Sequence, residues 1–160
     1  MGKILVIYHS RTGHTRAMAE SVAAGARAEG ATVELKKVQE MKAEEMLAAD
    51  GVVVGSAVYY GLPSAEIKAL FDESVAFHGK LRGKVGGAFA SSGVLGGGNE
   101  TTILAIIKMM LIHGMIVQGN HKGAHYGPAA VGAPDETALA QCQELGQRVA
   151  QLAARLSQPA

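Results

Sequence analysis

The stretch Tyr8-His9-Ser10-Arg11-Thr12-Gly13-His14-Thr15 follows the apolar run Ile4-Leu5-Val6-Ile7 and precedes a helical pattern. It reads as a strand that empties through a short polar loop into the start of a helix. The first N–H groups of a helix lack intrahelical partners, and the macrodipole places partial positive charge there, so such a loop makes an anion site. Ser10, Thr12 and Thr15 can each donate a hydroxyl to a phosphate oxygen, and Gly13 lets the backbone approach closely. The same residues also suit an ordinary N-cap that binds nothing.

Outward from this stretch the chain alternates between two periods. Lys3 to Tyr8 is a strand whose consecutive aliphatic residues call for burial on both faces. Thr15 to Glu29 is a helix with Met18, Val22 and Ala26 inward, closed by Gly30. Thr32 to Val38 alternates apolar and charged residues, which places it at a sheet edge. Lys42 to Ala49 reads as a short helix or turn of helix, and Gly51 to Gly55 as a central strand. Ser56 to Pro63 is a loop; the next helix carries Ile67, Leu70, Phe71 and Val75 on its core face. Lys84 to Ala90 is a fourth strand, and Ser91 to Asn99 a glycine-dense loop. The following helix has Ile103, Ile106, Ile107, Met110 and Leu111 as its core stripe and ends at Gly114. Met115 to Val117 is a fifth strand, His121 to Pro134 is irregular, and a last helix runs from Asp135 to about Leu156. Alternating strands and helices imply a parallel sheet with right-handed crossovers.

In an open doubly wound sheet, ligands bind beyond the carboxyl ends of the strands, where the strand order switches. With the order 2-1-3-4-5, three loops meet there: hydroxyl-rich Ser10 to Thr15, aromatic Ser56 to Gly61, and nearly side-chain-free Ser91 to Asn99. Together they imply a ligand with a phosphate at one end and a flat apolar ring at the other.

The motifs in these loops carry a family resemblance. Ser10-Arg11-Thr12-Gly13-His14-Thr15 resembles the phosphate loop of flavodoxin-like FMN proteins. Gly55-Ser56-Ala57-Val58-Tyr59-Tyr60-Gly61 resembles the second flavin loop of the WrbA-type NAD(P)H:quinone oxidoreductases, and Ala90 to Ile103 their third. His113-Gly114-Met115 and Tyr126-Gly127 are similar to further elements of that family. The resemblance implies a flavodoxin-like three-layer α/β sandwich, residues 1–160 forming one FMN-binding domain with a five-stranded parallel sheet and helices on both faces. It implies that Ser10, Arg11, Thr12, Gly13, His14 and Thr15 hold the phosphate, and that Ala57, Val58, Tyr59, Tyr60 and Gly61 line the isoalloxazine ring. Ser91, Ser92, Gly93, Val94, Gly96 and Gly97 would approach its pyrimidine end, and His113 would come near the flavin as hydrogen-bond donor or proton source. NAD(P)H would be the electron donor and a quinone the acceptor; a flavodoxin-type carrier serving a redox partner protein is the alternative. The chain departs from the family in its short 39–50 segment, its abbreviated 119–125 segment and its lack of tryptophan. These departures bear on assembly into homo-oligomers and on quinone turnover more than on FMN binding.

Composition narrows the classes. A formal net charge of +1 argues against a nucleic-acid binder relying on a strong basic field. A single cysteine, Cys142, rules out an intramolecular disulfide and makes a cytoplasmic location the expectation. That residue lies in a helical pattern and reads as a small buried hydrophobe. No segment is long and apolar enough to span a bilayer. His121 and His125 lie in a loop, where their spacing makes no metal site, and Lys80, Arg82 and Lys84 read as a solvated cluster. No acidic pair follows the first strand, and no Walker, Rossmann or nucleophile-elbow motif occurs.

Overall fold

The computed structural model describes residues 2–157. In chain order the elements are β1 (Lys3–His9), α1 (His14–Ala28), β2 (Thr32–Lys37), β3 (Gly51–Ala57), α2 (Ala65–Glu73), β4 (Val85–Ser92), α3 (Asn99–Ile112), β5 (Ile116–Val117), β6 (Ala129–Val131) and α4 (Glu136–Leu156). The sheet order is β2-β1-β3-β4-β5, all parallel, as the alternation predicts. Strand β1 feeds both faces: Ile4, Val6 and Tyr8 pack with residues of α1 and α4, while Leu5 and Ile7 pack with residues of α2 and α3.

Three expectations need correction. A sixth strand, β6, lies in the segment read as irregular; it pairs with the end of β4 (Ala90↔Ala129), whereas β5 pairs with its beginning (Val85↔Ile116). The two short strands thus share one side of β4. Three residues between Pro128 and Gly132 carry no legible period; only the partner strand defines them. Residues 43–48 form the short helical segment expected there, as a 3-10 helix. Strands β3 and β4 run on through Ala57 and Ser92, so Ser56, Ala57, Ser91 and Ser92 belong to strands and not to loops. Val75 and Leu111 are exposed. Helix α3 is apolar nearly all round, but only the face with Ile103, Ile106 and Met110 meets the sheet.

Helices α1 and α4 touch through glycine. A Cβ on Gly25 would stand 2.1 Å from the Gln143 carbonyl oxygen, and one on Gly146 would stand 2.0 Å from that of Val22. Backbone meets backbone at this crossing, which fixes how far along α4 the N-terminus of α1 sits. Cys142 is fully buried beside it, and burial pushes its thiol pKa up to about 12, so it packs as a hydrophobe.

Candidate functional site

All four α-helices start at the carboxyl end of the parallel sheet, and their N-termini are finished in two ways. Ser64 caps α2 by accepting from the Ile67 N–H, and Asp135 caps α4 by accepting from Ala138 at 2.8 Å. Helices α1 and α3 begin instead at Gly13 and Gly98, both in the left-handed region and neither with a side-chain cap. In α1 there is also no acidic residue in the first turn. Its leading N–H groups are open to an anion, with Arg11 exposed beside them and no carboxylate competing in that turn. Arg16 is drawn away from the opening by its ion pair with Glu20, at 2.8 Å.

The hydroxyls of the first loop divide. Thr12 is exposed, and Ser10 Oγ accepts from the Gly13 N–H at 3.1 Å, shaping the turn. Thr15 is buried and its hydroxyl shares a hydrogen bond with Ser91 Oγ at 2.8 Å. Thr15 thus ties α1 to the end of β4, and its N–H and the second hydroxyl proton of the Thr15–Ser91 pair remain for a ligand. Its burial follows from its place on the inner face of α1, one turn before Met18.

The second loop is a tight hairpin. Tyr59 and Leu62 exchange backbone hydrogen bonds at 2.9 and 3.0 Å, around Tyr60 (φ 49°) and Gly61 (φ 77°). Two successive positive φ values define a turn that favours Asn-Gly, and tyrosine pays strain in the first position. Tyr60 is nevertheless fully exposed at the tip, so packing does not explain it. We expect Tyr60→Asn to stabilise the ligand-free protein by about 1 kcal/mol, read as a higher urea midpoint, while weakening ligand binding at the loops. The hairpin is pinned to the third loop: Thr101 Oγ1 donates to the Gly61 carbonyl at 2.7 Å, and a Cβ on Gly98 would meet Gly61 Cα at 2.6 Å.

The third loop proper is Gly93–Gly98. Ser91 and Ser92 sit below it in β4, where the Ser91 carbonyl accepts from the Val58 N–H and Ser92 Oγ accepts from Asn99 Nδ2. Gly93, Val94, Leu95 and Gly96 are exposed, and Gly97 is half-buried with its N–H bonded to the Val94 carbonyl. Tyr60, Leu62, Val94 and Leu95 thus leave an apolar rim on the hairpin and the third loop. Thr101, Asn99 and His9 join the candidate site without having been singled out by its motifs; the bonds of Thr101 to Gly61 and of Asn99 to Ser92 cross between loops and carry no local signal.

His113 does not join these loops within one chain. It follows α3 at the other end of the sheet, where the Gly83 N–H bonds to the Gly114 carbonyl and β5 meets the start of β4. At about 3.3 Å per residue the length of β4 alone separates that end from Ser92 by roughly 23 Å. Within one chain, His113 therefore stands far from the three loops. It stands instead in a cavity of about 420 Å³ with Phe71, His78, Met109 and Ile112. The Ser74 hydroxyl donates to the Phe71 carbonyl, so His113 donates to Ser74 Oγ from Nε2, at 2.6 Å, and Nδ1 is left without a partner. Burial, and then the neighbouring His78 charge, lowers its pKa. The unfolded chain then binds a proton more readily than the folded one, so stability falls as pH drops through about 6.5. His113→Gln should flatten that slope in melts between neutral and mildly acidic pH; an unchanged slope would remove His113 as its source.

Other sequence expectations resolve simply. Lys84 is not solvated: its Nζ donates to the carbonyls of Leu47 and Ala49. Among the described residues no group of three or more His, Cys, Asp or Glu side chains is placed to hold a metal, and no helix is long and apolar enough to cross a membrane.

With this geometry in place, comparison with known proteins is informative. The Flavodoxin family model matches residues 6–108. A protein of Aquifex aeolicus named Flavodoxin is 44% identical over 94% of this chain and 86% of its own length. One of Archaeoglobus fulgidus named NAD(P)H dehydrogenase (quinone) is 33% identical over 98% of this chain and 100% of its own. Among solved structures, a flavodoxin, WrbA-like protein from Agrobacterium tumefaciens superposes with a TM-score of 0.83 at 28% identity, covering 98% of this chain and all of its own.

Proposed function

Because this chain belongs to the flavodoxin family, we propose that it binds FMN and is an oxidoreductase that moves electrons from NAD(P)H to a quinone or similar small acceptor. The observation that carries the reading is the uncapped, acid-free N-terminus of α1 beside an aromatic hairpin and a loop of nearly bare backbone. These three surfaces fit a phosphate, a flat ring and the polar edge of that ring. FMN supplies the hydride chemistry when bound; the protein supplies position and electrostatics.

In this reading the N–H groups of His14 and Thr15, with Ser10, Arg11, Thr12 and Gly13, hold the phosphate. Ala57, Val58, Tyr59, Tyr60 and Gly61 form one wall for the ring. Gly93, Val94, Gly96 and Gly97, seated on Ser91 and Ser92, present backbone donors where negative charge accumulates on reduction. The apolar rim of Tyr60, Leu62, Val94 and Leu95 excludes water from the exposed ring edge and admits an apolar acceptor. His113 has no part in the cofactor site of its own chain; a role toward an acceptor would require a second copy.

The names of the relatives support two activities. The 44% identity with a protein named Flavodoxin favours the second reading, an electron carrier that serves redox partner proteins. The test is the visible spectrum of protein loaded with FMN and freed of excess, followed by anaerobic NADH and then NADPH. Retained flavin bleached by either nucleotide supports the oxidoreductase and identifies the donor. Retained flavin that neither bleaches supports the carrier, and loss of the flavin on removal of excess overturns both.

A further inference from the structure

We propose that His9 is the positioning residue for the aromatic hairpin, holding Tyr59 in place from below while Glu66 holds His9. The proposal rests on the FMN reading for its purpose, and on geometry for its substance. His9 ends β1, one residue before the phosphate loop and in register with Ser56 of β3. Leu5 and Ile7, on the same face of β1, are aliphatic and merge into the core. His9 has an imidazole in the equivalent place, with its side chain only 8% exposed. Burying a polar ring costs free energy that an aliphatic residue would not incur, so packing alone gives no reason for histidine here.

Its contacts supply one. His9 Nε2 lies 3.5 Å from Glu66 Oε2 on the first turn of α2. The ring meets the Tyr59 ring edge-on, with centroids 5.5 Å apart and planes at 72°. His9, Tyr59, Ser64, Ala65 and Glu66 line an open pocket of about 280 Å³. Three segments, the end of β1, the hairpin and the start of α2, meet at this one imidazole. Glu66 is kept anionic, its pKa lowered first by its own backbone N–H at the helix start, against the opposing effect of burial, and then by His9 and Ser64. A fixed carboxylate orients the imidazole, and the imidazole sets the plane of Tyr59. That ring in turn sits at the base of the strained Tyr60-Gly61 tip, so its orientation decides how the tip meets a flat ligand. His9 Nδ1 has no partner in the structure. The Glu66 carboxylate beside Nε2 is thus the polar contact that orients the ring.

The test is a double-mutant cycle read in two ways. The chain contains no tryptophan and only four tyrosines, so near-ultraviolet circular dichroism of the ligand-free protein reports tyrosine order directly. His9→Leu should reduce that signal, leave the melting temperature nearly unchanged, and raise the FMN dissociation constant about tenfold, the scale of one lost aromatic pair. Glu66→Gln should act in the same direction with a smaller effect. In a chain already carrying Tyr59→Leu, His9→Leu should change neither readout further. His9→Leu effects that persist undiminished in that background overturn the proposal, as does an unaltered tyrosine signal in His9→Leu alone. Failure of the wild-type protein to retain FMN would overturn the cofactor reading instead, and the tyrosine signal would still decide the role of His9.

Discussion

Thr12→Glu is expected to lower FMN affinity by about a hundredfold while leaving riboflavin affinity and the melting temperature unchanged. Thr12 is exposed and makes no contact that folding needs, so the substitution adds charge without removing structure. The carboxylate would stand beside the open N–H groups of α1, within about 5 Å of a bound phosphate. Two like charges at that distance repel by about 3 kcal/mol at an effective dielectric of 20, and the phosphate is close to doubly charged; partial solvent exposure reduces the total to roughly 2–4 kcal/mol. The same carboxylate improves the helix end when no phosphate is present, which is why stability should not suffer. Fluorescence titration with the two flavins separates the cases. Equal loss for FMN and riboflavin would mean the loop does not hold a phosphate; no loss for either would remove the loop from the binding site.

Gly146→Ala is expected to destabilise the fold by about 2–4 kcal/mol, although alanine is the better helix former by about 1 kcal/mol. The new Cβ would stand 2.0 Å from the Val22 carbonyl oxygen, and the backbone of α1 has no rotamer with which to yield. The helices must separate, opening the packing around Met18, Val22, Cys142 and Leu145. That is a large share of the stability of an ordinary domain. Gly25→Ala should cost a similar amount, because its Cβ would meet the Gln143 carbonyl at 2.1 Å. The double variant should cost less than the sum, since one separation of the helices relieves both clashes. Urea midpoints of the four proteins measure this directly. FMN affinity should fall as well, because α1 would carry its N-terminus away from Ser91. Full additivity would show that the two glycines act at independent contacts.

Much of the candidate site is legible in the sequence because its signals are local. A hydroxyl-rich loop between an aliphatic run and an amphipathic helix, paired tyrosines before a glycine, and a run of glycines before a helix each announce themselves within ten residues. The edge character of β2 and the starts of α1 and α4 were legible for the same reason. What escaped was fixed across the chain. The Thr15 hydroxyl also bonds to Ser91, 76 residues away, a contact that no local spacing announces. His9 looked like one polar residue among several, and only the meeting of Tyr59 and Glu66 makes it distinctive.

The sequence by itself determined the order of the four helices and the first five strands, their parallel arrangement and the places of the three loops. Periodicity and capping chemistry act over a few residues, and each element obeyed its own. Tertiary structure alone decided that a sixth strand forms on β4, that α3 buries one face of an apolar cylinder, and that His113 stands at the far end of the sheet from the loops. These depend on which backbone groups find partners and which faces find neighbours, and no window of the chain contains both sides of such a contact.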